Sequence, residues 1–417
     1  MSHAPPPPFR PLPIRAFNAL GRGAARLGVR GFSLEAESLL SAARAATGLA
    51  DFGPESFRVG FDVLLGSLEC DAKLNAFGRY FARRQLLELL ICRLQLVDWR
   101  RRHPEVEKQE IVRPLFVLGL PRTGTTLLYS LLALDPAHRS PLSWEIDDPC
   151  PPAEAASYAS DPRIARSEWR FSQLRQLARG IQAIHPVGAA LPQECIVITA
   201  SEFASIRFEM CFDVPGYQDW LLEADLTGCY AWHRRFLQHM QSRYAAERWV
   251  LKSPGHLGAL DALLSAYPDA LIVQTHRDPR RVVPSVSSLE WTLRQIASDE
   301  RDPRVLGRQQ LSAWSRTLAL GMRARERHAA RASQFVDLHF HEIASDPIGC
   351  VRRIYDHFGL VLTTELERCM RDYVAVHPRE EHGAHRYTLQ GFGLSEGEVD
   401  DAFADYVVRF DVRRERA

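Results

Sequence analysis

The pattern of apolar and polar positions changes character part-way along the chain. From Leu34 to about Arg102 the spacing is helical: Leu86, Leu87, Leu89, Leu90, Leu94 and Leu96 mix with Arg and Glu at the helical period. From Leu115 the texture differs. Leu115-Phe116-Val117-Leu118-Gly119 is a short continuous apolar run ending in glycine, as expected of a strand buried on both faces. A polar, Gly-bearing segment and an apolar helical pattern from Leu127 to Leu134 follow. Three similar units come later. Trp249–Lys252 leads into a helix around His256–Ala266, Ala270–Thr275 into one starting near Arg280, and Phe335–Phe340 into one from about Asp346. Strands alternating with helices predict an α/β fold with a central parallel sheet flanked by helices. A helical N-terminal region precedes it and helical insertions interrupt it. The expected division is a mobile Pro-rich arm over 1–13, a helical region over 14–112 and an α/β domain over 113–417. In such sheets ligands bind beyond the carboxyl ends of the strands. The polar runs after Gly119, Leu251 and Thr275 are therefore expected to line one edge.

Composition narrows the function classes. The 417 residues carry 52 Lys+Arg against 51 Asp+Glu, with 46% hydrophobic residues. That balance describes a globular protein and excludes a generic nucleic-acid binder, which needs a basic excess. Only three of the basic residues are lysines: Lys73, Lys108 and Lys252. Eight cysteines form no CxxC and no zinc spacing, and scattered single thiols point to a reducing cytoplasm. His377, His382 and His385 match no zinc pattern either, so no metal is expected. No run of about 18 apolar residues predicts a membrane span. The N-terminus lacks the apolar core of a signal peptide. Its amphipathic pattern (Ile14, Phe17 and Leu20 with Arg15, Arg22 and Arg26) suits a frayed arm, packing on its own domain, or contact with an anionic membrane surface.

Gly119-x4-Gly124-Thr125-Thr126 has the frame of a phosphate loop between strand and helix. Backbone N–H groups and the positive end of the next helix favour an anion there. An ATP- or GTP-hydrolysing loop carries lysine after its second glycine. Here that residue is Thr125, and the cation sits inside the loop at Arg122. This suits a phosphate but not the usual Mg-triphosphate arrangement.

Leu120-Pro121-Arg122-Thr123-Gly124-Thr125-Thr126 resembles the 5′-phosphosulfate loop of sulfotransferases that use 3′-phosphoadenosine 5′-phosphosulfate (PAPS), with the pattern Pro-(Lys/Arg)-(Ser/Thr)-Gly-Thr-Thr. Arg277 at a strand end, with Ser285 eight residues on, resembles the family's 3′-phosphate site. Lys252-Ser253-Pro254-Gly255-His256-Leu257 resembles the segment between these sites in bacterial members. The resemblance runs from about residue 113 to 290, and more loosely to the C-terminus. It implies a P-loop-type fold and transfer of a sulfo group from PAPS to a hydroxyl, or an amine, of a small-molecule or lipid acceptor. Pro121, Arg122, Thr123, Gly124, Thr125, Thr126, Arg277 and Ser285 are then the donor-binding residues. Arg386, before Gly391-Phe392-Gly393, is the nearest basic residue to the family's late phosphate loop. Arg122 and Lys252 are the expected catalytic cations. His256 and Glu194 are rival bases, with Glu145 a third. Leu127 stands where animal cytosolic members stack a tryptophan on adenine, and their dimer motif is not visible, so no oligomeric state follows.

Two other classes compete: a P-loop kinase or NTPase, opposed by Thr125 and by the lack of a strand ending in the metal-binding Asp, and a non-catalytic nucleotide-binding module. The acceptor pocket is expected among helices over 140–235. Their aromatics (Trp144, Trp169, Phe171, Phe203, Phe208, Phe212, Tyr217 and Trp220) either line it or form a plain helical core.

Overall fold

A computed structural model describes residues 10–28, 31–177, 187–377 and 387–415. Five parallel strands form its sheet: β1 (Leu115–Gly119), β2 (His138–Arg139), β3 (Arg248–Lys252), β4 (Leu271–His276) and β5 (Phe335–His339), in the order β2-β3-β1-β4-β5. All of β1 and β4 is buried, β1 as a continuous apolar run and β4 with Gln274, Thr275 and His276 at its carboxyl end. Strand alternation splits β1 between two cores. Leu115 and Val117 pack with α5 (Thr125–Leu132) on one face, and Phe116 and Leu118 pack on the other. That second face is covered by α6 (Thr227–Gln241), α7 (Pro279–Arg294) and α8 (Pro303–Arg327), which bring Phe236, Val282 and Trp314 to it.

Register sets the site. Val117 pairs with Lys252, and Gly119 pairs with Thr275. The carboxyl ends of β3, β1 and β4 therefore lie side by side, although their sequence positions span well over a hundred residues.

The N-terminal helices are α1 (Leu12–Arg26), α2 (Ala36–Thr47), α3 (Phe57–Cys70) and α4 (Ala76–Arg102). Leu86, Leu90 and Leu94 recur every four residues and fill one face of α4. They share a core with Phe203, Phe208, Phe212 and Tyr217. The aromatics expected near the acceptor are thus mostly core: Trp144 is also fully buried in its own cluster, while Trp169 is exposed. Helix α1 begins two residues after Arg10, whose guanidinium bonds the carbonyls of Gln295 and Ser298 and the carboxylate of Asp299. No helix of the described residues is long and apolar enough to cross a membrane.

Candidate active site

Two glycines make the loop after β1 possible. Gly119 has φ +143°, and a Cβ there would lie 2.5 Å from the Thr275 carbonyl oxygen. Gly124 caps α5 with φ +89°, and Arg122 between them is also left-handed at φ 68°. The loop is tied to the sheet through Thr123, whose hydroxyl donates to the Leu120 carbonyl at 2.6 Å and meets the Thr275 hydroxyl at 2.6 Å. That side chain is fully buried and turned to the sheet, so it offers a ligand only its backbone.

A cavity of about 340 Å³ opens over this loop. Its lining is cationic and hydroxylic at Arg122, Thr125, Thr126, Lys252 and Arg277, with Pro121, Gly124 and Leu127 of the loop. Apolar side chains, among them Ile196, Ile206, Met210, Leu289 and Trp314, form much of the remaining wall. Helices from different parts of the chain build that wall, which is why local sequence did not mark it.

Arg122 Nε donates to Ser285 Oγ at 3.2 Å, and Arg277 Nη1 donates to the Arg122 carbonyl at 2.7 Å. Arg277 lies over the ring of Phe340, 3.6 Å from its centroid. The two residues of the expected 3′-phosphate site therefore meet at the loop arginine. Arg277 also makes a two-point ion pair with Glu415, at 2.7 and 2.9 Å. No local motif announces Glu415, because it arrives from the far end of the chain. Burial, with Arg277 close by, draws the Arg122 guanidinium below its ordinary value.

Lys252, at the end of β3, donates to Thr126 Oγ1 at 3.1 Å and to Glu194 Oε1 at 2.5 Å. It is 4% exposed, and Glu194 is 9% exposed. Both line the cavity. His256 does not. It lies in the turn Pro254–Ala259, is 1% exposed, packs edge-on against Phe116 and holds the Tyr230 hydroxyl at Nδ1, 2.6 Å away. Desolvation, with His233 adjacent, pushes its pKa well below the ordinary imidazole value. The structure thus separates the two proposed bases, since the proline-glycine step turns His256 into the core. Glu145 does not line the cavity either: it is buried against Arg139 and accepts from the Tyr158 hydroxyl at 3.0 Å. Arg386 lies outside the described residues.

Glu290 is a cavity residue that the sequence did not mark. It is 1% exposed, with Oε2 accepting from Arg294 at 2.8 Å and from Gln310 at 2.7 Å.

A strand-end anion loop beside a buried Lys–Glu pair suits group transfer from an anionic donor. The model of the sulfotransferase family matches residues 114–364. The chain belongs to the sulfotransferase family. The kinase and binding-module alternatives give way to that match. This sulfotransferase is 34% identical to the sulfotransferase STF1 of Mycobacterium tuberculosis H37Rv, whose crystal structure superposes with a TM-score of 0.81 over 90% of this chain and 100% of that one. Against the sulfotransferase STF9 of Mycobacterium avium the values are 30%, 0.84, 93% and 100%. It is also 26% identical over 320 residues to the omega-hydroxy-beta-dihydromenaquinone-9 sulfotransferase Stf3 of Mycobacterium bovis, covering 72% of this chain and 76% of that protein. The sulfotransferase shares with the two structures its P-loop-type fold.

Proposed function

We propose that this sulfotransferase takes a sulfo group from PAPS and places it on a hydroxyl of an apolar, lipid-like acceptor, with Glu194 as the base. The carrying observation is the Glu194–Lys252 pair, which shares one cavity with the phosphate loop and an apolar wall. The residues fit the donor: Arg122, Arg277 and Lys252 gather three cations for its anionic groups, and the loop adds backbone N–H groups. Bound there, PAPS supplies an electrophilic sulfur and a phosphate leaving group. The chain's own work is alignment and charge stabilisation. Arg122 and Arg277, with Ser285, hold the phosphates. Lys252 offsets negative charge that develops on transfer. Glu194, fixed at one oxygen by Lys252, takes the acceptor's hydroxyl proton. Arginine at 122 acts electrostatically, because a guanidinium does not give up its proton.

The apolar wall of Ile196, Ile206, Met210, Leu289 and Trp314 supports a hydrophobic acceptor, and the related Mycobacterium enzyme is named for a hydroxylated menaquinone. Eight unpaired thiols support a reducing, cytoplasmic setting.

The test is incubation with PAPS and a panel of long-chain alcohols, hydroxylated isoprenoids and phenols, with products identified by mass spectrometry. Sulfated apolar alcohols are expected. Failure to bind the spent donor (3′-phosphoadenosine 5′-phosphate, PAP), with no sulfated product, overturns the reading. Glu194→Gln is expected to lower kcat by about 10²- to 10⁴-fold with little change in PAP affinity.

A further inference from the structure

Behind the wall that carries Glu194 and Lys252, three side chains converge that the proposed reaction does not use. Cys195, His233 and His256 are all buried, and each offers one donor atom within 4.8 Å of the other two. They come from separate places: Cys195 precedes the short helix Ile196–Ala200, His233 lies in α6, and His256 lies in the turn after β3.

The two histidines are held in the same manner. His233 Nδ1 meets the Tyr267 hydroxyl at 2.7 Å, and His256 Nδ1 meets the Tyr230 hydroxyl at 2.6 Å. Among the described residues, Nε2 of both rings has no hydrogen-bond partner. A buried polar atom without a partner is uncommon and calls for a cause. Deep burial favours neutral rings, and a neutral imidazole has one N–H and one lone pair. We assign the N–H to Nδ1, donating to the tyrosine oxygen, which leaves both lone pairs on Nε2. Metal-bound histidines are oriented in this way, by a hydrogen bond at the other ring nitrogen.

We propose that Cys195, His233 and His256 bind one thiophilic d¹⁰ metal ion, Cu⁺ or Zn²⁺, through the thiolate and the two Nε2 atoms. Bonds of roughly 2.0–2.3 Å around a trigonal ion set the donors about 3.5–4 Å apart, so loading draws donor atoms now within 4.8 Å of one another in by at most about 1.3 Å. Binding forms one metal–sulfur and two metal–nitrogen bonds and releases the thiol proton to solvent; no electron is transferred. The surroundings are the rings of Phe116, Tyr230 and Tyr267. Charge therefore separates the two ions. The thiolate neutralises Cu⁺, whereas Zn²⁺ leaves one positive charge in an apolar interior, so Cu⁺ is favoured.

The place of the ion gives it a role. The Cys195 N–H donates to the Lys252 carbonyl at 2.9 Å, and Glu194 is the residue before Cys195. The ion clamps the segments that carry the proposed base and cation. It positions them and touches neither reactant.

The test uses the full chain, stripped of metal by dialysis against a chelator. It is then offered one equivalent of Cu⁺ anaerobically, as the acetonitrile complex, or of Zn²⁺. The expected result is one Cu⁺ retained per chain after desalting, read by elemental analysis, with a raised melting temperature. Tyr267→Phe keeps all three ligands and is expected to weaken affinity about 10- to 100-fold in competition with a chromophoric chelator. Cys195→Ser is expected to lose the ion. Circular dichroism confirms that each variant is folded, and the unaltered chain remains decisive if one is not. No retained ion of either kind, or equal retention by folded Cys195→Ser, overturns the proposal. None of these readouts requires sulfo transfer.

Discussion

Lys252 is one of three lysines in a chain whose other basic residues are all arginine, and its surroundings explain why arginine does not serve there. Its ammonium reaches Thr126 and Glu194 from a slot that is almost closed to solvent. A guanidinium is broader and brings five donors, more than that slot can pair. Lys252→Arg is expected to lower kcat about 10²-fold, while Lys73→Arg and Lys108→Arg leave it unchanged; steady-state kinetics on all three checks this. Arg277→Ala is expected to weaken PAP binding roughly 10- to 100-fold by calorimetry, the worth of charge-assisted hydrogen bonds. Lys252 and Arg277 were legible in the sequence because one ends and the other follows a recognisable strand. Glu290, Trp314 and Glu415 were not, since only the packing of distant elements brings them to the same edge.

The same contrast holds among the elements. Strands β1, β3 and β4 could be read because burial on both faces favours apolar runs, and the edge strand β5 because Phe335, Val336 and Leu338 are apolar although Asp337 and His339 are only half-buried. Strand β2 has only two residues, too few to leave a pattern. The aromatics over 140–235 were ambiguous for a related reason: apolar spacing reports a buried face but not whether a helix core or a ligand covers it. Helix α7 shows what such spacing hides. Its Glu290 lies near Glu209 of the short helix Arg207–Cys211, with Arg294 bonding the Glu209 carbonyl and the Glu290 carboxylate. Burial, with the charge of Glu290, pushes Glu209 up to about 8, and burial raises Glu290 to about 7. In the unfolded chain both titrate near the ordinary value of about 4.3. Between those limits the folded protein holds protons that the unfolded chain has lost, so stability falls as pH rises. The contribution is complete below the ordinary glutamate value and is lost by about pH 8. Urea midpoints are expected to decline across this window, and the double variant Glu209→Gln, Glu290→Gln is expected to flatten the decline.

At the scale of the molecule, a buried cation adds a polar tie to the core that joins the N-terminal helices to the rest. Arg93 of α4 pairs with Glu202, donates to the carbonyls of Phe52 and Pro54, and lies between the rings of Phe57 and Trp232. Burial raises the Glu202 carboxyl, with Arg93 opposing. Arg93→Ala leaves that carboxylate uncompensated and is expected to cost about 3–5 kcal/mol in urea unfolding. The opposite terminus is held in a different way. Glu415 occupies the Arg277 fork while its N–H and the Arg414 guanidinium bond Asp278, at 2.9 and 3.1 Å. An incoming phosphate and this carboxylate compete for one guanidinium. Donor occupancy is thereby coupled to protease sensitivity: trypsin should cut after Arg413 and Arg414 faster when PAP is present, giving a label-free signal of a filled site.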